Sequence, residues 1–359
     1  MTHTEALAEA QQQVASALKE LDWPELPYDH YPLQGDLAVI CFPAAKQLKR
    51  SPPELAKELA TVLADRGLSA SAEGGYCNIT LDWRSLASGL LAQIASGDFG
   101  RGAPSGKRVL IEHTSANATG PFHMGRARNP IIGDTLARLL RYAGDEVATE
   151  YYVNDMGRQA ATLAYGLSHF PSGDNGKVDH ALVECYQQAS AALENDPTAK
   201  KAIYELMEAC EQGDKKAIKD VAGAAEKMLA GMRISLSRMG VEAEAFFNES
   251  KLVTGGMVDE VVTALAKSPL CGDEEGAKYL DLTDYGIAGR NQKFFFTRKS
   301  GLSLYTTRDV AYHLDKFGRC DVAINILGED HKLQSRLLAI ALGELDAPAP
   351  DAQFYAFVS

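Results

Sequence analysis

The chain has 359 residues, of which 46% are hydrophobic and 23% charged, and its formal net charge is −12. This length predicts two or three domains with ample material for a buried core. No apolar run approaches the roughly 20 residues of a membrane span, and the polar start MTHTEALAEAQQQ does not fit a signal peptide. We therefore expect a cytoplasmic protein without membrane contact.

The acidic balance argues against indiscriminate binding to nucleic-acid phosphates, although a local basic patch can still bind RNA. Lys46, Lys49, Arg50 and Lys57 form one modest candidate patch, which on sequence alone is more simply an ordinary solvated face. Six cysteines are dispersed without a C-x-x-C pair, which favours reduced core residues over a disulfide framework or a zinc site. We therefore expect no structural metal.

The first hundred residues predict a small α+β module. Apolar spacing predicts an amphipathic helix over 6–21, a β-like segment over 39–42, a helix from Pro52 to about Leu63, a strand over 76–81 and a helix to about Ala95. The polar stretch 96–107 is interpreted as a linker. Its segment 102–107 resembles a P-loop briefly, but it is one residue short and precedes a strand instead of following one.

A βαβ unit is predicted next. A strand over 108–113 leads through the loop EHTSANATGPFHMGRAR to a helix over 131–143 that Gly144 ends, and a second strand covers 147–153. Ligands in such folds bind beyond the carboxyl ends of the strands, so we expect the functional site at this loop. Its glycines, Gly120 and Gly125, do not have the G-x-G-x-x-G spacing of a dinucleotide loop.

Beyond this unit, the composition predicts a helical insertion over 155–239, with breaks at 172–176 and Pro197, and then a mixed region with a strand over 277–282. We expect the nucleotide-binding fold to resume at 293–296 and to end in a strand over 321–327. The turn Gly328-Glu329-Asp330-His331 follows that strand and is expected to face the same pocket as the first loop. Its acids and histidine are interpreted as helix caps rather than metal ligands.

The segment Pro121-Phe122-His123-Met124-Gly125-Arg126 is a variant of the H-x-G-H turn of class I aminoacyl-tRNA synthetases. The unpaired N–H groups at a helix start favour a phosphate. Gly125 lets an adenine or ribose approach the backbone, and His123 donates to a triphosphate during attack on its α-phosphorus. A lone H-x-G is more often a plain histidine at a helix start. Arg126, a permanent cation, replaces the second histidine.

Several separated blocks resemble the arginyl-tRNA synthetase family: GDLAVICFPAAKQLKRSPPELAKELA, EHTSANATGPFHMGRARNPIIGDTLARLLRYAG with YYVNDMGRQ, SLYTTRDVAYHLDKF and INILGEDHKLQ. The resemblance implies a Rossmann-like parallel-sheet catalytic domain over 101–359, with an insertion over about 160–290, after a tRNA-contacting α+β domain over 1–100. It also implies His123 and Arg126 as catalytic residues. The implied ATP-binding residues are Pro121, His123, Gly125, Arg126, Gly328, Asp330 and His331.

An arginine pocket needs an acid that accepts paired guanidinium donors and an aromatic wall. Tyr305 and Asp309 lie four residues apart, on one face of a predicted helix. The resemblance assigns both to the arginine side chain, with Gln334 assisting. Without the resemblance, Asp309 would be interpreted as a salt-bridge partner of Arg308 or another base, and Tyr305 as a core residue.

The same resemblance places the amino-acid end of the ligand at the first strand end, where Glu112, Ser115 and Asn117 are expected to hold the α-amino group. Asn117 alone would be interpreted as a turn residue. Asn154 and Asp155, which end the second strand, are open to two interpretations, turn chemistry or a wall of the pocket.

The implied function is that of an arginine–tRNA ligase in protein synthesis, which forms arginyl-adenylate from arginine and ATP and transfers arginine to tRNA(Arg). Mg²⁺ would accompany the triphosphate, held mainly by phosphate oxygens and water. We expect a monomer. The family's K-M-S-K-S-like loop and anticodon-binding domain have no counterpart before Ser359, which favours a fragment that does not charge tRNA at a useful rate by itself. Two alternatives stay open, a small-molecule nucleotidylyltransferase and a non-catalytic tRNA-binding or regulatory relative.

Overall fold

The computed structural model describes residues 3–173, 176–287 and 292–356. The chain divides into two units, with the boundary between Arg101 and Gly102. Within the described ranges, no helix is long and apolar enough to span a membrane.

The first unit combines four helices with a four-stranded antiparallel sheet in the order β1-β2-β4-β3. Two helices bury their apolar faces against this sheet, with Val14 and Leu59 fully enclosed. Its elements are α1 (His3–Glu20), β1 (Tyr28–Asp29), β2 (Leu37–Ile40), α2 (Phe42–Leu48), α3 (Pro52–Asp65), β3 (Ser69–Glu73), β4 (Tyr76–Thr80) and α4 (Trp83–Ser96).

One expectation for this unit is wrong in detail. The predicted β-like segment stops at Ile40, and Phe42 begins a helix instead. Pro43 lies in the first turn of that helix, where its fixed φ suits the helical backbone and its missing N–H costs nothing. Pro43 therefore favours the start of a helix after β2, which apolar spacing alone did not predict.

The second unit is built on a five-stranded parallel sheet in the order β12-β11-β5-β6-β7. This sheet confirms the α/β class expected from the sequence. The unit contains β5 (Arg108–Glu112), α5 (Arg128–Tyr142), β6 (Glu146–Val153), α6 (Gly157–His169), α7 (Val178–Asn195), α8 (Pro197–Glu211), α9 (Lys215–Arg238), β7 (Ala245–Asn248), α10 (Ser250–Thr254), α11 (Met257–Leu265), β8 (Cys271–Glu274), β9 (Ala277–Asp281), β10 (Lys293–Phe295), α12 (Tyr305–Arg319), β11 (Val322–Gly328), α13 (Lys332–Gly343) and β12 (Asp351–Tyr355).

The pairing of β5 with β11 positions the two turns predicted to face one pocket. The strands run parallel, with Val322 opposite Val109 and Asn325 opposite Glu112. Their carboxyl ends therefore lie side by side at one edge of the sheet. The loop after β5 and the turn after β11 both begin at that edge, which is where parallel α/β sheets bind ligands.

The segment between β6 and β7 is helical, as expected, and comprises α6 to α9. Pro197 stands at the start of α8, as its lack of an N–H favours. A break that the sequence reasoning did not predict separates α8 from α9, where the Asp214 side chain caps α9 by accepting a hydrogen bond from the Ala217 N–H at 2.7 Å. Asp174 and Asn175, part of the predicted break over 172–176, lie outside the described residues.

The segment 293–296, where the nucleotide-binding fold was expected to resume, does not belong to the parallel sheet. Lys293–Phe295 forms β10, which pairs antiparallel with β9 in a separate three-stranded sheet with β8. Phe294 and Phe296 are buried in the same cluster as Leu280. A short apolar run indicates a buried strand but not the sheet to which the strand belongs. The chain returns to the parallel sheet only at β11.

All six cysteines are free thiols, and five of them are buried. Burial raises the pKa of Cys41 to about 11 and that of Cys77 to about 12. These two thiols are thus protonated at neutral pH, and they pack as small apolar side chains in the first unit.

Helix α5 lies against the end of β5 through a glycine. A Cβ added at Gly133 would lie 2.4 Å from the Cβ and 2.6 Å from the Cγ of His113, whose side chain is buried. We expect Gly133→Ala to lower the free energy of unfolding by about 1–3 kcal/mol through overpacking. Gly223→Ala in α9, where an added Cβ meets no atom within 4 Å, should instead be neutral or stabilising by up to about 1 kcal/mol. Urea unfolding measures both, and equal effects would contradict this packing.

Candidate active site

The connection from β5 to α5 is a long loop, as the sequence predicts, although α5 begins three residues earlier than expected. His123 has extended backbone angles (φ −115°, ψ 156°) and precedes a 3₁₀ turn over Met124–Arg126, and α5 begins at Arg128. Ala116 and Ala118 are buried within a core cluster that includes Tyr151, and the Tyr151 hydroxyl donates to the Ala116 carbonyl at 2.6 Å. The first part of the loop is thus anchored in the core, and His123 follows it, one 3₁₀ turn before α5.

This loop starts with backbone strain. Thr114 (φ 72°) and Ser115 (φ 36°) both adopt left-handed conformations that side chains disfavour. The Thr114 N–H donates to Asn129 Oδ1 at 2.6 Å, and Asn129 Nδ2 donates to the Ile326 carbonyl at 2.7 Å. Asn129 on α5 thereby ties the strained turn to β11 and fixes the floor of the site.

A cavity of about 390 Å³ opens at the carboxyl ends of β5 and β11. Its walls are polar at both ends and come from the loop after β5, the turn after β11 and the helices α12 and α13. Nine of the residues predicted from the sequence line it: Glu112, Ser115, Asn117, Arg126, Asp309, Gly328, Asp330, His331 and Gln334.

A second cavity, of about 520 Å³, adjoins the first and shares part of its wall, including Asp309 and Gln334. Tyr305 lines this second cavity with 61% of its surface exposed. Core packing, the alternative interpretation of Tyr305, is therefore wrong. Tyr305 and Asp309 share α12, so one helix face carries both an aromatic wall and a carboxylate.

Three predicted ATP-binding residues do not line either of these cavities. Pro121 and Gly125 are half-buried, and His123 is exposed. All three precede Arg126 in the same loop, and Arg126 does line the first cavity. The loop thus brings its arginine to the cavity, whereas its histidine lines neither cavity.

Asp309 does not pair with Arg308, although another base, His313, lies beside it. The buried Arg308 guanidinium forms ion pairs with the buried carboxylates of Glu249 and Glu211. The Asp309 side chain remains 47% exposed, with His313 Nδ1 at 3.2 Å from its Oδ1. Asp309 thus presents a carboxylate to both cavities.

Glu249 is a residue that the sequence reasoning missed. It follows β7, lines the second cavity and is 3% exposed, and this burial raises its pKa. An isolated acid after a short strand gives no signal in a sequence.

The two polar residues at the end of β6 have different surroundings. Asn154 lines the second cavity, whereas Asp155 is fully buried and accepts hydrogen bonds from Ser250. For Asp155 the pocket-wall interpretation is wrong.

Lys316 was missed as well. It belongs to α12, is fully buried, and its Nζ donates to Glu112 Oε2 at 2.5 Å and to Asn325 Oδ1 at 2.8 Å. Ser115 Oγ donates to the other Glu112 oxygen at 2.9 Å. A basic residue in the last turn of a helix is usually solvated and stabilises the helix end. The position of Lys316 in α12 therefore did not indicate a buried partner of Glu112.

In the part of the chain that the structure describes, no group of three or more His, Cys, Asp or Glu side chains is arranged to hold a metal ion. In the turn after β11, His331 Nδ1 lies 2.9 Å from Asp330 Oδ1, and Lys332 Nζ donates to Glu329 Oε1 at 2.9 Å. Both acids of this turn therefore already have a neighbouring basic side chain as a partner.

A parallel sheet with a polar cavity at its carboxyl edge is the architecture of a nucleotide-binding α/β enzyme, and comparison with known proteins defines the class. Residues 90–333 match the family model described as tRNA synthetases class I (R), catalytic domain. Residues 4–81 match the arginyl tRNA synthetase N terminal domain. The chain therefore belongs to the arginyl-tRNA synthetase family, which confirms the resemblance seen in the sequence.

Individual relatives agree with this assignment. The chain is 39% identical over 337 residues to an arginine–tRNA ligase of Methanococcus aeolicus, covering 90% of this chain and 58% of the relative. It is 36% identical over 364 residues to that of Methanothermobacter thermautotrophicus, covering 98% of this chain and 64% of the relative. The chain thus spans about three fifths of the length of these curated relatives.

Solved structures show the same fold. The Thermus thermophilus arginyl-tRNA synthetase matches with a TM-score of 0.62 and 24% identity, over 96% of this chain and 64% of that one. A putative arginyl tRNA synthetase from Campylobacter jejuni matches with a TM-score of 0.56 and 26% identity, over 76% of this chain and 58% of that one.

The buried Arg308 makes a testable contribution to stability. Arg308→Met would leave Glu249 without its cation and raise its already raised pKa further. At about pH 8 we expect a loss of about 3–5 kcal/mol in the free energy of unfolding, the cost of orphaning a buried charge. The folded variant would hold a proton that the unfolded chain releases, so its stability falls as pH rises, and the loss should be smaller at about pH 5.

Urea unfolding at the two pH values measures this effect. Arg138→Met serves as the control, since Arg138 forms an exposed pair with Asp134, and exposed pairs contribute about 0–1 kcal/mol. A loss for Arg308→Met that is as small as the control's, or that grows toward low pH, would contradict the buried pairing.

Proposed function

We propose that this chain carries the amino-acid and ATP sites of an arginine–tRNA ligase. The observation that supports this most directly is the second cavity, where the Asp309 carboxylate, the buried Glu249 and the Tyr305 ring surround one space. Two acids and an aromatic wall suit a planar cation with several donors. A neutral side chain of the same length would leave the Asp309 carboxylate without a cation, whereas Glu249 is already paired with Arg308.

The arginine guanidinium is proposed to enter between Tyr305 and Asp309, with Gln334 as a further hydrogen-bonding group. Asp309 and Gln334 line both cavities, so the aliphatic part of the ligand can run from the second cavity into the first. Its α-ammonium group is then directed to Glu112, with Ser115 and Asn117 beside it.

ATP is proposed to occupy the rest of the first cavity. Gly328, Asp330 and His331 would contact the adenosine part, and Arg126 the triphosphate. Pro121, His123 and Gly125 of the same loop would complete this wall. Mg²⁺ would arrive with the triphosphate, bound mainly by phosphate oxygens and water.

In the proposed reaction, a carboxylate oxygen of arginine attacks the α-phosphorus of ATP, the bond to the β-phosphate oxygen breaks, and pyrophosphate leaves. Arg126 and His123 supply positive charge and a hydrogen-bond donor where negative charge grows. A ribose hydroxyl of tRNA(Arg) then attacks the arginyl carbonyl, and AMP leaves. These catalytic roles stay predictions.

We further assign residues 1–100 to the tRNA-contacting domain and 101–359 to the catalytic domain. The side chains of Lys46, Lys49 and Lys57 are exposed in the first unit, as a phosphate-binding patch requires, while Arg50 pairs with Glu58 at 2.6 Å. The cytoplasmic location and the monomeric state also stay predictions.

The test is a comparison of arginine with citrulline, its uncharged isostere, by calorimetry. We expect the chain to prefer arginine, and Asp309→Asn to weaken arginine binding by about 2 kcal/mol, or roughly 30-fold, because the guanidinium loses a charged partner. ATP binding should change little.

Asp315→Asn is the matched control, since Asp315 lies on the same helix and pairs with Arg319. Equal weakening of arginine and ATP by Asp309→Asn would indicate a folding role for Asp309. ATP binding without any preference for arginine would instead favour a nucleotidylyltransferase, and binding of tRNA alone a non-catalytic relative.

A further inference from the structure

Lys316 is a fully buried cation beneath the first cavity. Besides Glu112 and Asn325, its Nζ lies 3.4 Å from His313 Nε2 and 4.2 Å from the centre of the Tyr312 ring. Burial of an ammonium group costs several kcal/mol unless its donors are satisfied. Every polar partner of Lys316 named here also lines the first cavity, so the lysine lies directly behind the wall that faces the ligand.

His313 extends this arrangement toward Asp309. His313 Nδ1 lies 2.8 Å from the Asp309 carbonyl oxygen, an acceptor, and His313 Nε2 lies 2.7 Å from Asn325 Nδ2, a donor. These partners assign the proton to Nδ1 and leave Nε2 as the acceptor. His313 thus links Asp309 to Asn325 by hydrogen bonds, and the Lys316 ammonium group lies behind this end of the cavity wall.

Glu112 has both carboxylate oxygens engaged. Oε2 accepts from Lys316, and Oε1 accepts from Ser115 Oγ, which in turn accepts from the Tyr152 N–H at 3.1 Å. The carboxylate is therefore held in one orientation before any ligand arrives. A fixed acceptor binds without first losing side-chain freedom.

We propose that Lys316 is a positioning residue for recognition of the α-ammonium group of the amino acid. It acts through Glu112, holding that carboxylate in a fixed position at the cavity wall. This inference rests on the proposed function, because it names the support on which the amino end of the arginine site depends.

A role in fold stability alone would not require a buried ion pair between Lys316 and Glu112. Buried ion pairs can often be replaced as a whole by apolar residues without loss of stability. What an apolar residue cannot do is donate to Glu112 Oε2 and hold this carboxylate, which is only 12% exposed, beside a fixed positive charge. Without that donor the carboxylate could turn away from the position in which it accepts from an ammonium group.

The experiment compares two ligands, arginine and deamino-arginine, which keeps the guanidinium and the carboxylate but lacks the α-amino group. Calorimetry on the 359-residue chain gives both dissociation constants for the wild type and for Lys316→Met, whose side chain has similar length and no charge. We expect Lys316→Met to weaken arginine binding by about tenfold or more, the loss of one charge-assisted contact. Deamino-arginine binding should change less than about threefold, so the preference for arginine collapses.

Lys177→Met is the matched control. Lys177 pairs with Asp179, another buried carboxylate, at 2.8 Å, but it lines neither cavity. Its loss should leave the preference for arginine unchanged. If Lys316→Met does not fold, Lys316→Gln, which retains an amide donor for Glu112, is measured in the same way and should show a reduced preference.

The outcomes separate the two proposals. A wild-type chain that binds arginine no better than citrulline would overturn the proposed function. A wild-type chain that discriminates normally, with a Lys316 variant that loses affinity for arginine and deamino-arginine equally, or for neither, would overturn the role of Lys316 alone.

Discussion

Parallel pairing of β5 with β11 is the constraint on which the site depends. The register that places Asn325 opposite Glu112 brings two polar side chains from distant parts of the sequence to one edge of the sheet. Lys316 of α12 reaches both. Since buried polar groups must be satisfied, a slip in this register would separate the partners and leave a charged lysine without acceptors. The register of the sheet and the hydrogen bonds of the polar wall therefore depend on each other.

The buried acids of the second unit also differ in how their charge is balanced. Glu112 is paired with Lys316, Glu249 with Arg308, and Glu150 with Arg319. Asp309 is more exposed than these, and His313 is the base beside it. Among the residues that the structure describes, no lysine or arginine forms an ion pair with Asp309, which supports the proposal that a guanidinium is directed to that point.

The sequence predicted most elements of this fold because their apolar periodicity is strong. Helix α5 and strand β6 are clear examples, and the polar turns after β5 and β11 could be placed in one pocket by the general rule for parallel sheets. The sheet to which each strand belongs was harder to predict from the sequence. The aromatic run of β10 indicates a buried strand, but its partner, β9, is decided by packing around Leu280, which no local pattern encodes.

The charge network was the least predictable part. Lys316 and Glu249 resemble ordinary charged residues of a helix end and a loop, and their roles arise from partners far along the chain. The strained backbone at Thr114 was hidden for the same reason, since it is held by Asn129 and through it by β11. Local propensity describes elements, whereas these contacts depend on how the elements are assembled.

The most direct test of the account is a crystal structure of this chain with arginine bound. The account predicts the guanidinium within hydrogen-bonding distance of the Asp309 carboxylate and beside the Tyr305 ring, with the α-ammonium group on Glu112 and the Lys316 contact preserved. Arginine bound in the reverse orientation, or at a place where it touches neither Asp309 nor Glu112, would contradict it.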